Sequence, residues 1–323
     1  MNQILDVETT QQQALLFLLG YLKQKDYHFT AITPLSHQRI LDRNNNTKNK
    51  DITLRDIFGW NLAFAETDLE PSLFTILEKN QLIRFQDGQW FTHVRVASLD
   101  DQLFIHSSFP TVQQDAVFFG PDTYRFVYHL KQYLAGKAQA FKRGLELCCG
   151  TSATAISIAK HFPDLNEMMV ADLNPKALLY SQINASFAGL NHILPVYSNL
   201  FTNIEGQFDL IFANPPYLID ADERQYRHGG NELDGNELSF NIVKQAIQRL
   251  NTQGCLFLYT GIAIRPNSNP FLEHLEKLLT PYSNINWSYE EIDPDVFGEE
   301  LDESAYQHIE RIALVLVKLE MMG

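Results

Sequence analysis

Phe208-Asp209-Leu210-Ile211-Phe212-Ala213-Asn214-Pro215-Pro216-Tyr217 is an apolar run that stops at an amide followed by two prolines. The run has the length and composition of a buried strand. Consecutive prolines fix φ and remove two N–H groups, so the chain must leave the sheet there as a rigid turn that presents carbonyls. The Asn214 amide oxygen and the Pro215 carbonyl are then two acceptors that can hold the hydrogens of a flat amide or amine and aim its nitrogen lone pair. Tyr217 adds a ring face on which a planar group can stack. None of Asn214, Pro215, Pro216 and Tyr217 is a strong nucleophile or base, which suits a reaction whose chemistry is carried by a bound cofactor while the protein supplies orientation. The plain alternative is a Pro-terminated edge strand with a surface turn.

Upstream, Leu145-Glu146-Leu147-Cys148-Cys149-Gly150-Thr151-Ser152-Ala153 leads into an apolar-periodic helix reaching about His161. Strand, small-residue turn and helix form a nucleotide-type site, where small side chains admit a ligand to the backbone and the helix N-terminus offers free N–H groups. Met168 to Ala171 reads as a second strand ending in Asp172-Leu173-Asn174-Pro175. An acid at this strand end is placed to accept both hydroxyls of a ribose, and Leu173 to pack on an adenine face. Asn174 and Pro175 are good N-cap and first-turn residues for a helix running to about Gly189.

With these motifs in this order, the sequence from roughly Phe118 to Glu320 resembles the class I S-adenosylmethionine-dependent methyltransferases, and within them the HemK-like group that carries Asn-Pro-Pro-Tyr. The resemblance implies a doubly wound, mostly parallel seven-stranded α/β sheet of the Rossmann-like methyltransferase kind. It places Glu146, Cys148, Cys149 and Gly150 at the methionine part of S-adenosylmethionine, Asp172 and Leu173 at its ribose and adenine, and Asn199 and Leu200 beside the adenine. Asn214 through Tyr217 fall on the substrate-amide clamp. Phe119-Gly120-Pro121-Asp122-Thr123-Tyr124 looks like the segment that closes over the cofactor, with Phe119 and Thr123 as its contacts. Two departures stand out: Cys148 and Ser152 occupy positions that are commonly glycine in this loop, and glycine takes φ > 0 without the steric cost that a side chain brings. Asn199 replaces the usual acid, so only its oxygen can accept from an adenine amino group.

Residues 1–117 are expected to form a separate α+β module and residues 118–323 the methyltransferase unit. In the first, Gln11 to Gln24 has helical apolar spacing, Arg43 to Asp51 is a loop, and short helices are expected at Leu54–Phe58 and Ser72–Leu77. Leu82–Phe85, Trp90–Ala97 and Gln102–Ile105 alternate like strands. Helices before a small ribbon suggest a winged-helix-like domain with a substrate-recognition or packing role. Pro110 to Ala116 is a linker. Further strands are expected at Cys255–Thr260, near Trp287 and at Ile312–Lys318, with helices at Leu238–Leu250 and Phe271–Leu279. The Gly-rich stretch His228 to Gly235 reads as a hinge or a backbone wall of the pocket, or as an ordinary surface loop.

The formal charge of −14 opposes RNA and DNA through long-range repulsion. Arg224, Arg227 and His228 are the one suggestive basic cluster, read as solvated charges or carboxylate binders. The acidic Asp293 to Asp302 is either a solvated loop or a cover for the substrate pocket. Three cysteines, two of them adjacent, and the absence of an apolar run long enough for a bilayer point to a soluble cytoplasmic protein. No zinc-type spacing accompanies the cysteines, and no metal is expected. The reading is an N-methyltransferase acting on an amide or amine nitrogen of a protein side chain, glutamine-like, or of a small molecule. Alternatives are an RNA base methyltransferase, a cofactor-sensing winged-helix protein without turnover, and non-methylating use of the cofactor. Oligomeric state is not legible.

Overall fold

A computed structural model describes residues 2–44, 51–137 and 141–323. Four helices come first: α1 (Asn2–Gln24), α2 (Pro34–Asn44), α3 (Leu54–Phe58) and α4 (Pro71–Lys79). Four short strands follow, β1 (Ile83–Gln86), β2 (Gln89–Thr92), β3 (Val94–Leu99) and β4 (Gln102–Ser107), paired as two separate antiparallel ribbons. The single strand expected over Trp90–Ala97 is divided at His93, whose N–H turns away to the carbonyl of Leu82. Helix α2 was not anticipated, and Arg43, expected in a loop, lies in its last turn; residues 45–50 of that expected loop lie outside the described residues. Helix α3 is only five residues long yet starts cleanly, because Thr53 and Asp56 form a reciprocal capping box.

Helix α5 (Pro121–Ala135) begins the second half, followed by β5 (Arg143–Leu147), α6 (Ala153–His161), β6 (Glu167–Asp172), α7 (Pro175–Phe187), β7 (Ile193–Tyr197) and β8 (Phe208–Ala213). Then come α8 (Glu237–Ala246), β9 (Leu250–Ile264), α9 (Pro270–Leu279), β10 (Ile285–Asp293) and β11 (Arg311–Met321). The seven strands lie in the order β10-β11-β9-β8-β5-β6-β7. Strands β5 to β9 pair in parallel, while β11 runs antiparallel to both β9 and β10. From β5 the chain winds outward through β6 and β7 on one side and β8 and β9 on the other. The carboxyl ends of β5, β6 and β8 therefore flank a topological switch point, where open α/β sheets form their ligand crevice.

Strict alternation fills both faces of this sheet. Phe257 and Tyr259 of β9 and Leu314 and Leu316 of β11 join one apolar cluster, while Leu256, Leu258, Val315 and Val317 join another with α8 and α9. The first cluster is continuous with Leu15, Leu18, Phe58, Val96 and Phe104 of the N-terminal elements. The small ribbons are thus packed into the same apolar mass as α5, α6 and α7, which fixes them relative to the crevice.

Candidate active site

Cys148 and Ser152 hold φ of +53°, and Gly150 between them holds +52°. The two side-chain-bearing residues therefore keep the left-handed path expected of glycine, at about 1–2 kcal/mol each. Side chains of α7 hold that path in place. The Ser181 hydroxyl donates to the Gly150 carbonyl at 3.1 Å and accepts from the Ser152 hydroxyl at 2.7 Å. The Asn184 amide donates to the Thr151 carbonyl at 3.1 Å. Asn184 also brackets Ile105 of β4, accepting from its N–H at 2.9 Å and donating to its carbonyl at 3.3 Å. One buried amide thus ties the loop to the N-terminal half.

Asp172 ends β6 half-buried, and its two oxygens are aimed by the backbone: Oδ2 accepts from Gly150 N–H and Oδ1 from Asn174 N–H, both at 2.9 Å. Asn174 caps α7 through its bond from Lys176 N–H, as expected. Leu173 beside it is 42% exposed and available to cover a flat ring. Ser198 N–H bonds the Asp172 carbonyl, which brings Asn199 and Leu200 to the same edge; Asn199 is exposed, and Leu200 takes φ of +47°. A side chain added at Gly150 would meet nothing within 4 Å, so there is open space against the loop. Oriented acidic oxygens, an apolar flank, free space and the first turn of α6 fit a nucleoside bearing an amino-acid tail.

Several expected contacts lie elsewhere. Glu146 is buried, and its Oε2 accepts from Ala155 N–H inside the first turn of α6 at 3.2 Å; burial pushes its carboxyl up to about 8. It therefore shapes the helix start and does not stand at the ligand space as a free acid. Cys149 is buried with its thiol against the Ser181 hydroxyl at 3.5 Å, and burial raises its pKa well above the ordinary thiol value. Phe119 does not face the crevice: it is 1% exposed and packs on Phe104, His106 and Tyr124. Thr123 Oγ1 accepts from Gly120 N–H at the start of α5. Cys148, Cys149 and Cys255 are all free thiols.

At the end of β8, Asn214 is half-buried and its side-chain amide bonds nothing among the described residues, whereas Pro215 is buried. Tyr217 is a correction. It is 7% exposed, its ring lies flat against Gly261, where any side chain would come within 2.3 Å of it, and Phe297 meets it edge-on at 5.9 Å. Its hydroxyl donates to Asp122 Oδ2 at 2.5 Å, and Tyr259 donates to Oδ1 of the same carboxylate at 2.9 Å. A ring so enclosed has no face left for a substrate. Tyr217 instead pins the turn to α5 and β9.

Gly229 forms a backbone wall behind the turn: an added side chain would collide with the Gly235 carbonyl and the Tyr217 Cα. Arg224 and Arg227 are not solvated charges, since both pair with buried Asp220, and Arg227 also pairs with Glu300. Through that pair and Phe297, the acidic segment between β10 and β11 closes the Tyr217 side of the turn. On the opposite side the linker spans the crevice: Asp115 O accepts from Asn174 Nδ2 at 2.9 Å, and Gln114 Nε2 donates to Asp222 O at 2.6 Å. Ser181, Asn184 and Asp122 were missed by sequence reasoning. The only signal for the first two was a pair of polar residues three apart on an otherwise apolar helix face.

The model of the methyltransferase small domain matches residues 126–265, spanning β5 to β9 and the turn at Asn214. Residues 126–265 are thus similar to a methyltransferase small domain. The sequence is 34% identical over 127 residues to the ribosomal protein uL3 glutamine methyltransferase of Neisseria gonorrhoeae, covering 36% of this chain and 42% of that protein. It is 30% identical over 129 residues to the release factor glutamine methyltransferase of Borreliella burgdorferi, covering 36% and 44%. The matched part is thus about 42% of the length of the first of these relatives. Among solved structures, Methanocaldococcus jannaschii Trm5 in complex with adenosine aligns with a TM-score of 0.49 at 10% identity, over 72% of this chain and 57% of that one. The ribosomal protein L11 methylase of Lactobacillus delbrueckii subsp. bulgaricus aligns with a TM-score of 0.41 at 15% identity, over 64% and 81%. The donor set around Asp172 and Gly150 is compatible with the S-adenosylmethionine expected from the sequence. Among the described residues no cluster of His, Cys, Asp or Glu could hold a metal ion, and no helix is long and apolar enough to cross a membrane.

Proposed function

We propose that the protein methylates a side-chain amide nitrogen, that of a glutamine in a protein acceptor. The observation that carries this reading is the Asn214 amide, without a hydrogen-bond partner among the described residues, at the carboxyl end of β8, on the same edge of the parallel sheet as Asp172 at the end of β6. The protein acceptors of the two glutamine methyltransferases it resembles, and the chain's net charge of −14, support a protein acceptor over a nucleic acid.

S-adenosylmethionine, held by Asp172, Leu173, the Cys148–Gly150 loop and the edge at Asn199 and Leu200, supplies an electrophilic methyl group when bound. The chain's part is positional. The Asn214 oxygen and the Pro215 carbonyl accept the two amide hydrogens, which restrains the acceptor nitrogen and directs its lone pair across the crevice. The fixed φ of Pro215 and Pro216 keeps those acceptors from relaxing away. The linker over Asn174 and the acidic segment over Tyr217 limit water at the site. Residues 1–117 serve as the acceptor-recognition part, with the methyltransferase unit over 118–323.

Tracing labelled methyl groups from S-adenosylmethionine into the protein, RNA and metabolite fractions of a cell extract tests this. Label in N-methylglutamine, released as methylamine on acid hydrolysis, is expected with wild type, with at least a hundredfold loss in Asn214→Ala while calorimetric cofactor binding persists. Label confined to RNA or metabolites would reject the protein acceptor.

A further inference from the structure

Beside the linker, between the β1–β2 ribbon and the end of β4, opens a cavity of about 190 Å3 walled by Asn61, Arg84, Phe91, Thr92, Phe109 and Gln113. Its frame is hydrogen-bonded: Asn61 Nδ2 donates to the Thr92 hydroxyl at 2.8 Å, and Asn61 Oδ1 accepts from Phe109 N–H at 2.6 Å. One cation lines the cavity and two more lie behind its wall. Arg84 stands on its wall with the guanidinium 5.4 Å from the Phe91 ring, and no carboxylate pairs with it among the described residues. Behind the Phe109 ring, 5.7 Å from its centroid, lies the guanidinium of Arg95, only 3% exposed and likewise without a carboxylate; its bonds go to the Ser107 carbonyl and His37. Lys176 reaches Gln113 Oε1 at 3.4 Å and shares its charge with Asp115 at 3.5 Å. Burial, then Arg84 and Lys176, hold half-buried His93 below the usual imidazole range, in keeping with a locally positive field.

In a chain of net charge −14, one cation on a small cavity and two behind its wall, with Asp115 as their one paired carboxylate among the described residues, is a local reversal of sign. The cavity also shares its wall with the reaction site. The stretch that carries Gln113 accepts from the Tyr226 hydroxyl at the Thr111 carbonyl, 2.7 Å, and from Asn174 at the Asp115 carbonyl, next to Asp172. A segment seated in the cavity is therefore one linker's width from the crevice.

We propose that this cavity binds an aspartate or glutamate side chain of the polypeptide acceptor, near its methylated residue, with the carboxylate on Arg84 and the stem against Phe91 and Phe109. The inference rests on the protein-acceptor reading above. A single small, partly open cavity suits one carboxylate on one apolar stem, whereas a phosphate backbone presents charge at every step and would meet the repulsion of the remaining surface. The Phe109 ring keeps the Arg95 charge dry, and an anion on the far side of that ring offsets the buried cation.

The test uses fluorescein-labelled dodecapeptides, Glu-Phe-Gln repeated four times and Gln-Phe-Gln repeated four times, with a twelve-residue oligouridylate as third probe, followed by anisotropy at low salt. The acidic peptide is expected to bind wild type at least tenfold tighter than the neutral one, and Arg84→Gln to abolish that preference without changing the calorimetric Kd for S-adenosylmethionine. Arg84 is exposed, so the variant keeps its fold. Equal binding of both peptides to wild type, or a preference that survives in the variant, overturns the proposal; oligouridylate binding tighter than the acidic peptide and weakened by Arg84→Gln assigns the cavity to nucleic acid instead. Labelled methyl transfer to extract protein is scored separately: preference without transfer removes the acceptor reading and leaves the anion site, and transfer without preference does the reverse.

Discussion

Asn184→Leu isolates the link between the N-terminal half and the cofactor loop. Leucine is close to asparagine in shape but can neither donate nor accept, so the substitution leaves three backbone groups without partners: the N–H and C=O of Ile105 and the C=O of Thr151. Asn184 is 1% exposed, so water does not replace them freely. A buried backbone group left unpaired costs about 1–3 kcal/mol, and allowing for partial relaxation the three together give roughly 3–6 kcal/mol. That is a large share of the roughly 5–15 kcal/mol by which domains are usually stable. Urea unfolding followed by circular dichroism reads the loss, and calorimetry with S-adenosylmethionine reads its consequence, because the Thr151 carbonyl sits between Gly150 and Ser152 in the left-handed stretch. We expect the midpoint to fall by the equivalent of several kcal/mol and the cofactor Kd to rise about tenfold. A loss under 1 kcal/mol with unchanged Kd would show that β4 and the loop are held by apolar packing alone, and the coupling argument would fail.

Three further outcomes follow from the same geometry. Asp172→Asn sets an amide NH2 against the Gly150 N–H and removes a charge, so S-adenosylmethionine should bind roughly 10–100-fold more weakly by calorimetry; undiminished affinity would mean that the cofactor lies elsewhere. Glu146 has its carboxyl raised from 4.5 to about 8 by burial, so the native state keeps a proton that the unfolded chain releases. Its contribution to stability therefore declines as pH rises from about 4.5 to about 8. Glu146→Gln, which retains an acceptor for Ala155 N–H, should flatten that profile and add up to roughly 5 kcal/mol at the alkaline end; identical pH slopes for the two proteins count against it. Tyr217→Phe keeps the ring against Gly261 but deprives Asp122 of one donor, which should cost about 1.5–3 kcal/mol of stability and less than tenfold in kcat. A kcat drop of a hundredfold at full stability would instead give the hydroxyl a part in the chemistry.

Sequence by itself determined the buried strand β8, the proline-locked turn after it and the acid at the end of β6, because each follows from local rules: a continuous apolar run of strand length, a fixed φ, and an N-cap followed by proline. The same rules left β7 and α5 unread. Pro195 sits inside β7, where a missing N–H is tolerated only because the strand lies at the sheet edge, and edge position is a property of the assembled sheet. Only the tertiary structure decided what the motif residues face. Tyr217 turned inward because Gly261, 44 positions away on β9, leaves room for its ring and because Asp122 waits beneath it. Cys148 and Ser152 could keep a path suited to glycine because Ser181 and Asn184, one helix later, hold the intervening carbonyls. Side-chain direction at a strand end depends on which groups from distant elements arrive to satisfy it, and local spacing does not carry that information.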